Sequence, residues 1–391
     1  MDRFFLKITD DKHTGVISIV WRCICAIPNP RYYRGWTILA VALVSVLPAC
    51  NTIQEPVKAE PSAVLMQVTA SLDDPLPVSD AEAKRTLKAL HAKYRRESGG
   101  KVADHTDVAA AADPNAFGIV IATVDGRIIQ AGDAKVVFPL QSLSKAFIFG
   151  LALEDNGNDV MLEKVGVYAT GLPYGSLAAT EVRATMLQNP MVSAGAIAVT
   201  STIAGSTTDE KWRRALTILQ NFAGRNVKPI SSVYTSEMAK NTSSLAKAWV
   251  LHSYGLLYAK PMDTVDRYLY ACSVGVTTED LAIMGATLAN GGVNPKTGKR
   301  VVSAETVRGQ LSAMVTAGMY DYSGPWLFNI GLPAKSGVGG GVVAVVPNRF
   351  AIAVFSPPLD LRGNSVRATK VIEDLSDLWE LHVLQGSRPK N

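Results

Sequence analysis

Apolar residues recur along this chain at two different periods, and the changes of period outline its architecture. Ser79-Asp80-Ala81-Glu82 reads as a helix start, with Ser79 or Asp80 as cap, leading into a helix near Arg85–Arg96. Phe117 to Val124 and Arg127 to Ala131 are β-type runs on either side of Asp125-Gly126, and such runs about an Asp-Gly pair predict a tight antiparallel hairpin. The period then changes. Leu143, Ala146, Phe147, Gly150 and Leu151 fall at helical spacing, with Gly157 as a C-terminal stop. Residues 142 to about 310 read as mostly helical, broken by loops at Gly157, Gly171 to Gly175 and Gly291-Gly292. Short β-type runs return at Leu327–Ile330, Ala334–Gly337, Val342–Val346 and Ala351–Phe355, the last two joined by a turn at Pro347-Asn348. Ser365 to His382 closes the chain with helical spacing. The expected class is α+β: an antiparallel sheet flanked by terminal helices, plus an all-helical subdomain.

The first fifty residues follow a different pattern. Trp36 to Ala49 is an apolar run of fourteen residues, preceded by Arg31 and Arg34 and followed by Cys50. It is short for a membrane span and suited to the apolar part of a secretory signal. Leu47-Pro48-Ala49-Cys50 is similar to the bacterial lipobox, whose cysteine is lipidated and becomes the mature N-terminus; Pro48 is a less usual residue there. The expectation is an export segment at 1–49, a proline-containing linker at 50–80 and a catalytic domain at 81–391, exported and held at the periplasmic face of a membrane through Cys50. An uncleaved N-terminal anchor is the competing reading.

Composition narrows the chemistry. The 391 residues are 48% hydrophobic and 19% charged, enough for a sizeable core. Residues 1–49 hold six Lys or Arg against three Asp, so most of the net +5 lies outside the folded part, and no nucleic-acid surface is expected. Of the four cysteines, Cys23 and Cys25 precede the signal, Cys50 is the lipidation candidate, and only Cys272 is left, expected in the core. No internal disulfide is available there. Neither C-x-x-C nor H-E-x-x-H is present, so neither a metal nor another cofactor is expected.

The remaining candidate chemistry is a serine and a lysine. Ser142-Leu143-Ser144-Lys145 is an S-x-x-K, and Lys335-Ser336-Gly337 is a K-[ST]-G. The first spacing also occurs at Ser98, Ser244 and Ser387, so context must choose among four. Ser98 lies in a Ser-Gly-Gly-Lys loop, Ser387 in the C-terminal tail and Ser244 within a helical stretch. Ser142 alone follows the hairpin and opens a buried helix, where free N–H groups favour a developing anion. Positions three apart share a helix face, so Lys145 can reach the Ser142 hydroxyl, and an apolar setting lowers the proton affinity of its amine. Against this stands a helix cap that happens to precede a lysine. Lys335-Ser336-Gly337-Val338 falls on an expected strand that can lend an N–H to an oxyanion hole. The competing reading there is a Gly-rich turn with a solvated lysine.

Longer words extend the pattern. Phe138 to Lys145, Asn189-Pro190-Met191-Val192-Ser193-Ala194-Gly195-Ala196-Ile197, Ala286 to Gly292, Gly318-Met319-Tyr320-Asp321, Gly331 to Gly337, Ser356 to Asp360 and Gly363 to Val366 resemble the serine-dependent glutaminase family over roughly residues 100–380. The resemblance implies a β-lactamase/transpeptidase-like fold and cofactor-free hydrolysis of L-glutamine to L-glutamate and ammonia. It further implies that Ser142 attacks the side-chain amide while Lys145 takes its proton, and that the N–H groups of Ser142 and Val338 hold the oxyanion. Tyr268 and Tyr320 match tyrosines that relay a proton to the leaving ammonia. Gln141, Ser193, Glu237 and Ser244 match positions lining the substrate pocket, with Glu237 pairing with the α-ammonium. Family members commonly assemble, so a homodimer or homotetramer is expected.

Three positions depart from the pattern. Ser193 and Ser244 stand where the family usually has Asn, and His105 where it has Tyr. These positions help to hold the amino-acid end of the substrate, so the departures bear on recognition and leave the nucleophile and base intact. Two alternatives remain open at this stage: another hydrolase of the same fold, such as an amidase, β-lactamase, transpeptidase or esterase, and a non-catalytic lipoprotein. The lack of a convincing Ser-Asp-Asn triplet in the helical block speaks against the first.

Overall fold

A computed structural model of the chain describes residues 8–11, 16–19, 74–169, 171–173, 175–177 and 188–385. The chain divides into two units, residues 1–68 and 69–391. In the first, β1 (Ile8–Asp11) pairs antiparallel with β2 (Val16–Ile19), Ile8 opposite Ile19. The expected signal at Trp36–Ala49 and Cys50 lies outside the described residues.

In the second unit α1 (Asp80–Tyr94) starts where Ser79 accepts a hydrogen bond from the N–H of Glu82. After the short α2 (Asp107–Ala110) comes the expected hairpin, β3 (Gly118–Thr123) against β4 (Ile128–Gly132), with Gly118 opposite Gly132. A two-residue strand, β5 (Phe138–Pro139), leads to the helical part: α3 (Ser144–Asn156), α4 (Asn158–Lys164), α5 (Ser193–Ser201), α6 (Thr208–Ala223), α7 (Ser231–Ala239), α8 (Thr242–Ser253) and α9 (Pro261–Cys272). The strand β6 (Gly275–Val276) returns to pair with β5, and α10 (Thr278–Ala289) and α11 (Ala304–Ala317) follow.

At Leu327–Ile330 the structure overturns the expected strand. These residues lie in and just after α12 (Ser323–Asn329). Trp326 is buried and donates its indole N–H to the Leu332 carbonyl, whereas Phe328 is 85% exposed. A run of four residues is too short for its period to be read, and the anchoring of Trp326 decides the conformation. The other late runs are strands: β7 (Ala334–Ser336), β8 (Gly341–Val346) and β9 (Phe350–Phe355), before the closing α13 (Val366–Trp379), capped by Ser365.

The five main strands form one antiparallel sheet in the order β4-β3-β9-β8-β7. Hairpin and late strands thus meet across some 230 residues of chain, with Ile121 opposite Ile352. Side chains alternate between two apolar layers. Phe117, Ile119, Ile121, Val342, Ile352 and Val354 pack with Leu87 of α1 and Val371, Ile372 and Leu375 of α13. Val120, Ala122, Val343, Val345, Ala351 and Ala353 face α10 and the helical block. Because both faces are covered, β3, β8 and β9 are buried throughout and read as continuous apolar runs. The expected α+β architecture is present, and the β-lactamase-like arrangement places the end of β7 beside the start of α3.

Candidate active site

The backbone before α3 is bent in a way that ordinary side chains resist. Gln141 has φ +48°, and residues Gln141–Leu143 form one turn of 3-10 helix before α3 proper. Ser142 therefore sits on the turn leading into the helix, one step earlier than the helical spacing suggested, and β5 intervenes between the hairpin and the turn. The 3-10 turn still brings Lys145 back over the serine: Nζ lies 2.5 Å from Ser142 Oγ, and both residues are buried. Burial is the main cause that pushes the Lys145 amine down to about 8; the charge of Lys247 adds to it, while Cys272 and Glu237 oppose it. A lysine in that state is deprotonated in a useful fraction near neutral pH and can accept the serine proton.

The Gly-rich segment after β7 packs directly onto this turn. A Cβ on Gly337 would come 2.9 Å from the Leu140 carbonyl, and Gly340, at φ +99°, would meet the Pro357 backbone at 2.6 Å. Only glycine permits this approach. No backbone acceptor takes the N–H of Ser142 or of Val338 among the described turn and loop hydrogen bonds, so both remain available to an incoming oxyanion. Lys335 is fully buried, which rules out the solvated reading. Its amine reaches the carbonyls of Gly318 at 2.9 Å and Ser336 at 2.6 Å, and burial followed by the Lys145 charge holds it well below the usual lysine range.

Ser142 opens into a cavity of about 800 Å³ whose wall includes Gln141, Ser193, Glu237, Ser244, Tyr268 and Val338. The fold thus brings together residues from six elements or loops that sequence spacing could not connect. Glu237, on α7, accepts hydrogen bonds from His105 Nε2 at 2.9 Å and Gln141 Nε2 at 2.8 Å, both on Oε1. Burial alone would raise its carboxyl, but these bonds outweigh it and keep Glu237 below the ordinary carboxylate value. Tyr268 on α9 is buried, with Lys145 Nζ 5.5 Å from its ring centroid. Burial, with Cys272 adding, pushes its phenol well above the usual range although Ser193 beside it acts the other way, so it keeps its proton.

Tyr320 takes a different place. It is buried at φ +60°, its hydroxyl donates to the Ser336 carbonyl at 3.2 Å, and Lys335 Nζ stands 4.1 Å from its ring centroid. It supports the β7 edge beside the nucleophile and is not part of the cavity wall. Two of the four non-glycine residues with positive φ among the described residues, Gln141 and Tyr320, thus adjoin the Ser-Lys pair, where strain is typically concentrated.

Sequence reasoning did not single out other residues of this wall. Cys272, expected simply to fill the core, is buried there with its sulfur 3.6 Å from Ser144 Oγ. Ser243 and Lys247 of α8 also line the cavity. Their helical offsets from Ser244 were the available signal, since Lys247 lies three residues on. Among the described residues no cluster of His, Cys, Asp or Glu could hold a metal ion.

Comparison with known proteins gives one consistent answer. Residues 100–384 match the family model described as Glutaminase. The chain is 44% identical over 305 residues to a glutaminase of Trichormus variabilis, covering 78% of this chain and 91% of that one. A solved structure described as the probable glutaminase ybaS superposes with a TM-score of 0.78 at 40% identity, over 79% of this chain and all of the other. The crystal structure of Mglu in its glutamate form gives a TM-score of 0.74 at 39% identity, over 78% of this chain and 70% of that one. A match of this length and identity, carried on a sheet and helical block that present a buried Ser-Lys pair to a cavity, makes the chain a member of the glutaminase family and an amidohydrolase.

Proposed function

We propose that the chain cleaves the side-chain amide of L-glutamine through a glutamyl ester on Ser142. The observation that carries this is the 2.5 Å contact between Lys145 Nζ and Ser142 Oγ, with an amine pushed down to about 8 by burial. Lys145 removes the hydroxyl proton as Oγ attacks the amide carbon, and the N–H groups of Ser142 and Val338 hold the negative oxygen of the tetrahedral intermediate. Collapse needs a proton on the departing nitrogen. Tyr268, protonated and near Lys145, passes it on, so that ammonia leaves; Tyr320 supports this through the Ser336 carbonyl. Water then enters, gives up a proton by the reverse route and releases L-glutamate. Glu237 receives the α-ammonium on Oε2, the oxygen that His105 and Gln141 leave free. Gln141, Ser193 and Ser244 complete the wall. That the related Mglu was solved in a glutamate form supports L-glutamate as the product.

The test is ammonia release from L-glutamine by the purified protein, beside a chromogenic β-lactam. Turnover of glutamine that disappears in Ser142→Ala supports the reading; hydrolysis of the lactam alone sinks it. We further infer that the protein is exported and lipidated on Cys50, from the apolar run Trp36–Ala49 and the residues just before the cysteine. Unchanged lipid labelling and membrane association in Cys50→Ala would overturn that. Assembly into dimers or tetramers is supported by the family resemblance and by large apolar side chains left exposed at Phe328 and Leu384. Light scattering that gives a monomer at micromolar concentration refutes it.

A further inference from the structure

Lys247 is a buried lysine without an acid. It sits on α8, is only 4% exposed, and lines the same cavity as Ser142 and Glu237. Its Nζ donates to Ser243 Oγ at 2.6 Å and lies 3.3 Å from the Ser243 carbonyl. Among the described residues no carboxylate lies within ion-pair distance of it. A buried ammonium satisfied by a hydroxyl and a carbonyl alone is an expensive group to keep, and burial pulls its proton affinity down accordingly. Such a group is stabilised when a ligand brings the missing negative charge.

The surroundings are built for an anion. Ser243 and Ser244 are the second and third residues of α8, and the first hydrogen bond within this helix runs from Leu245 N–H to the Asn241 carbonyl. The N–H groups of Ser243 and Ser244 therefore have no acceptor within the helix, and the two hydroxyls and Lys247 lie at the same end of it. Glu237 supplies the opposite charge elsewhere on the cavity wall, already held by His105 and Gln141 and not paired with Lys247. An amino acid presents this pair of charges in reverse, an ammonium and a carboxylate on one carbon.

We propose that Lys247, with Ser243 and Ser244, receives the α-carboxylate of the substrate, while Glu237 receives its α-ammonium. This rests on the glutaminase reading and names what selects a free amino acid within it. The charge of Lys247 offsets the shorter reach of Ser193 and Ser244 at positions where the family usually carries Asn. An ammonium gives a carboxylate a stronger partner than the neutral amides usual at those two positions.

The experiment compares L-glutamine with its α-methyl ester, which keeps the ammonium and the side-chain amide but has no carboxylate, in the full chain and in Lys247→Met and Lys247→Arg. Met matches the lysine in length and removes an uncompensated buried charge, so the variant is expected to fold with an undiminished thermal midpoint. For wild type, kcat/KM should favour L-glutamine over the ester. In Lys247→Met the KM for L-glutamine should rise about tenfold to a hundredfold, the range expected for loss of a charge-assisted hydrogen bond, with kcat changed far less. The ester should be processed as before, so the preference disappears. Lys247→Arg should restore part of it. Unchanged KM for glutamine in Lys247→Met, or an equal loss on both substrates, overturns the proposal.

Calorimetric binding of L-glutamate to wild type and Lys247→Met separates this from the reading beneath it. If wild type releases no ammonia, the glutaminase reading fails. Lys247 is then decided by binding alone: at least tenfold weaker binding in the Met variant supports its role, and equal affinity or no binding to either refutes it.

Discussion

Activity should depend on the protonation of Lys145 in a way that can be worked out in advance. Its amine is pushed down to about 8, and only the neutral form can take the Ser142 proton. At pH 6 roughly one active site in a hundred is competent, at pH 7 roughly one in eleven, and at pH 8 about half. The sign follows directly: log kcat/KM for L-glutamine should rise with unit slope up to about pH 7.5 and bend over near 8. The total gain between pH 6 and 8 should be about fiftyfold. The assay is initial-rate ammonia release across that window at fixed ionic strength, below the range in which the α-ammonium of the substrate titrates. Lys145→Met should lower the rate by about a hundredfold to ten-thousandfold and remove the rising limb. A profile that is flat from pH 6 to 8, or a Lys145→Met enzyme that keeps the same limb, would refute a neutral Lys145 as base.

Three further outcomes test other parts of the site and fold. Glu237→Gln should raise KM for L-glutamine about tenfold to a hundredfold with a smaller change in kcat, since the ammonium loses its charged partner while the amide oxygen of glutamine can still accept from His105 and Gln141. Gly340→Ala places a Cβ against the Pro357 backbone at a positive φ and should cost about 1–3 kcal/mol in a denaturant melt while also lowering kcat, because the displaced loop carries the Val338 N–H. Ile352→Ala, at the fully buried centre of β9, should cost about 2–5 kcal/mol and leave KM unchanged at temperatures where the variant is folded. A loss of substrate affinity in Ile352→Ala without loss of stability would contradict the separation of core and site.

What the sequence determined by itself was local. The Asp125-Gly126 hairpin, the Ser79 cap and the Gly157 stop are each set by a few adjacent residues. The choice of Ser142 among four S-x-x-K spacings was also local, since it depends on the hairpin before it and the helix after it. The likeness to glutaminases was legible for the same reason: long contiguous words surround the nucleophile and the glycine-rich strand. Leu327–Ile330 shows where such reading stops, because only the burial of Trp326 under the chain turns four ambiguous residues into helix.

The cavity wall was the part that only tertiary structure decided. Nothing in sequence spacing connects His105 to Glu237, or Lys335 to the carbonyl of Gly318; the sheet and the helical block bring them together by burying their apolar faces. The same burial alters what the charged groups do. It drives Lys145 toward the neutral state, denies Lys335 the solvent that the competing reading of its sequence context allowed, and leaves Lys247 facing the cavity without an acid. The sequence thus determined which residues could react, because reactivity depends on atoms a few positions apart. The fold decided which protons they hold and which end of the substrate they meet, because desolvation and charge pairing depend on the whole surrounding structure.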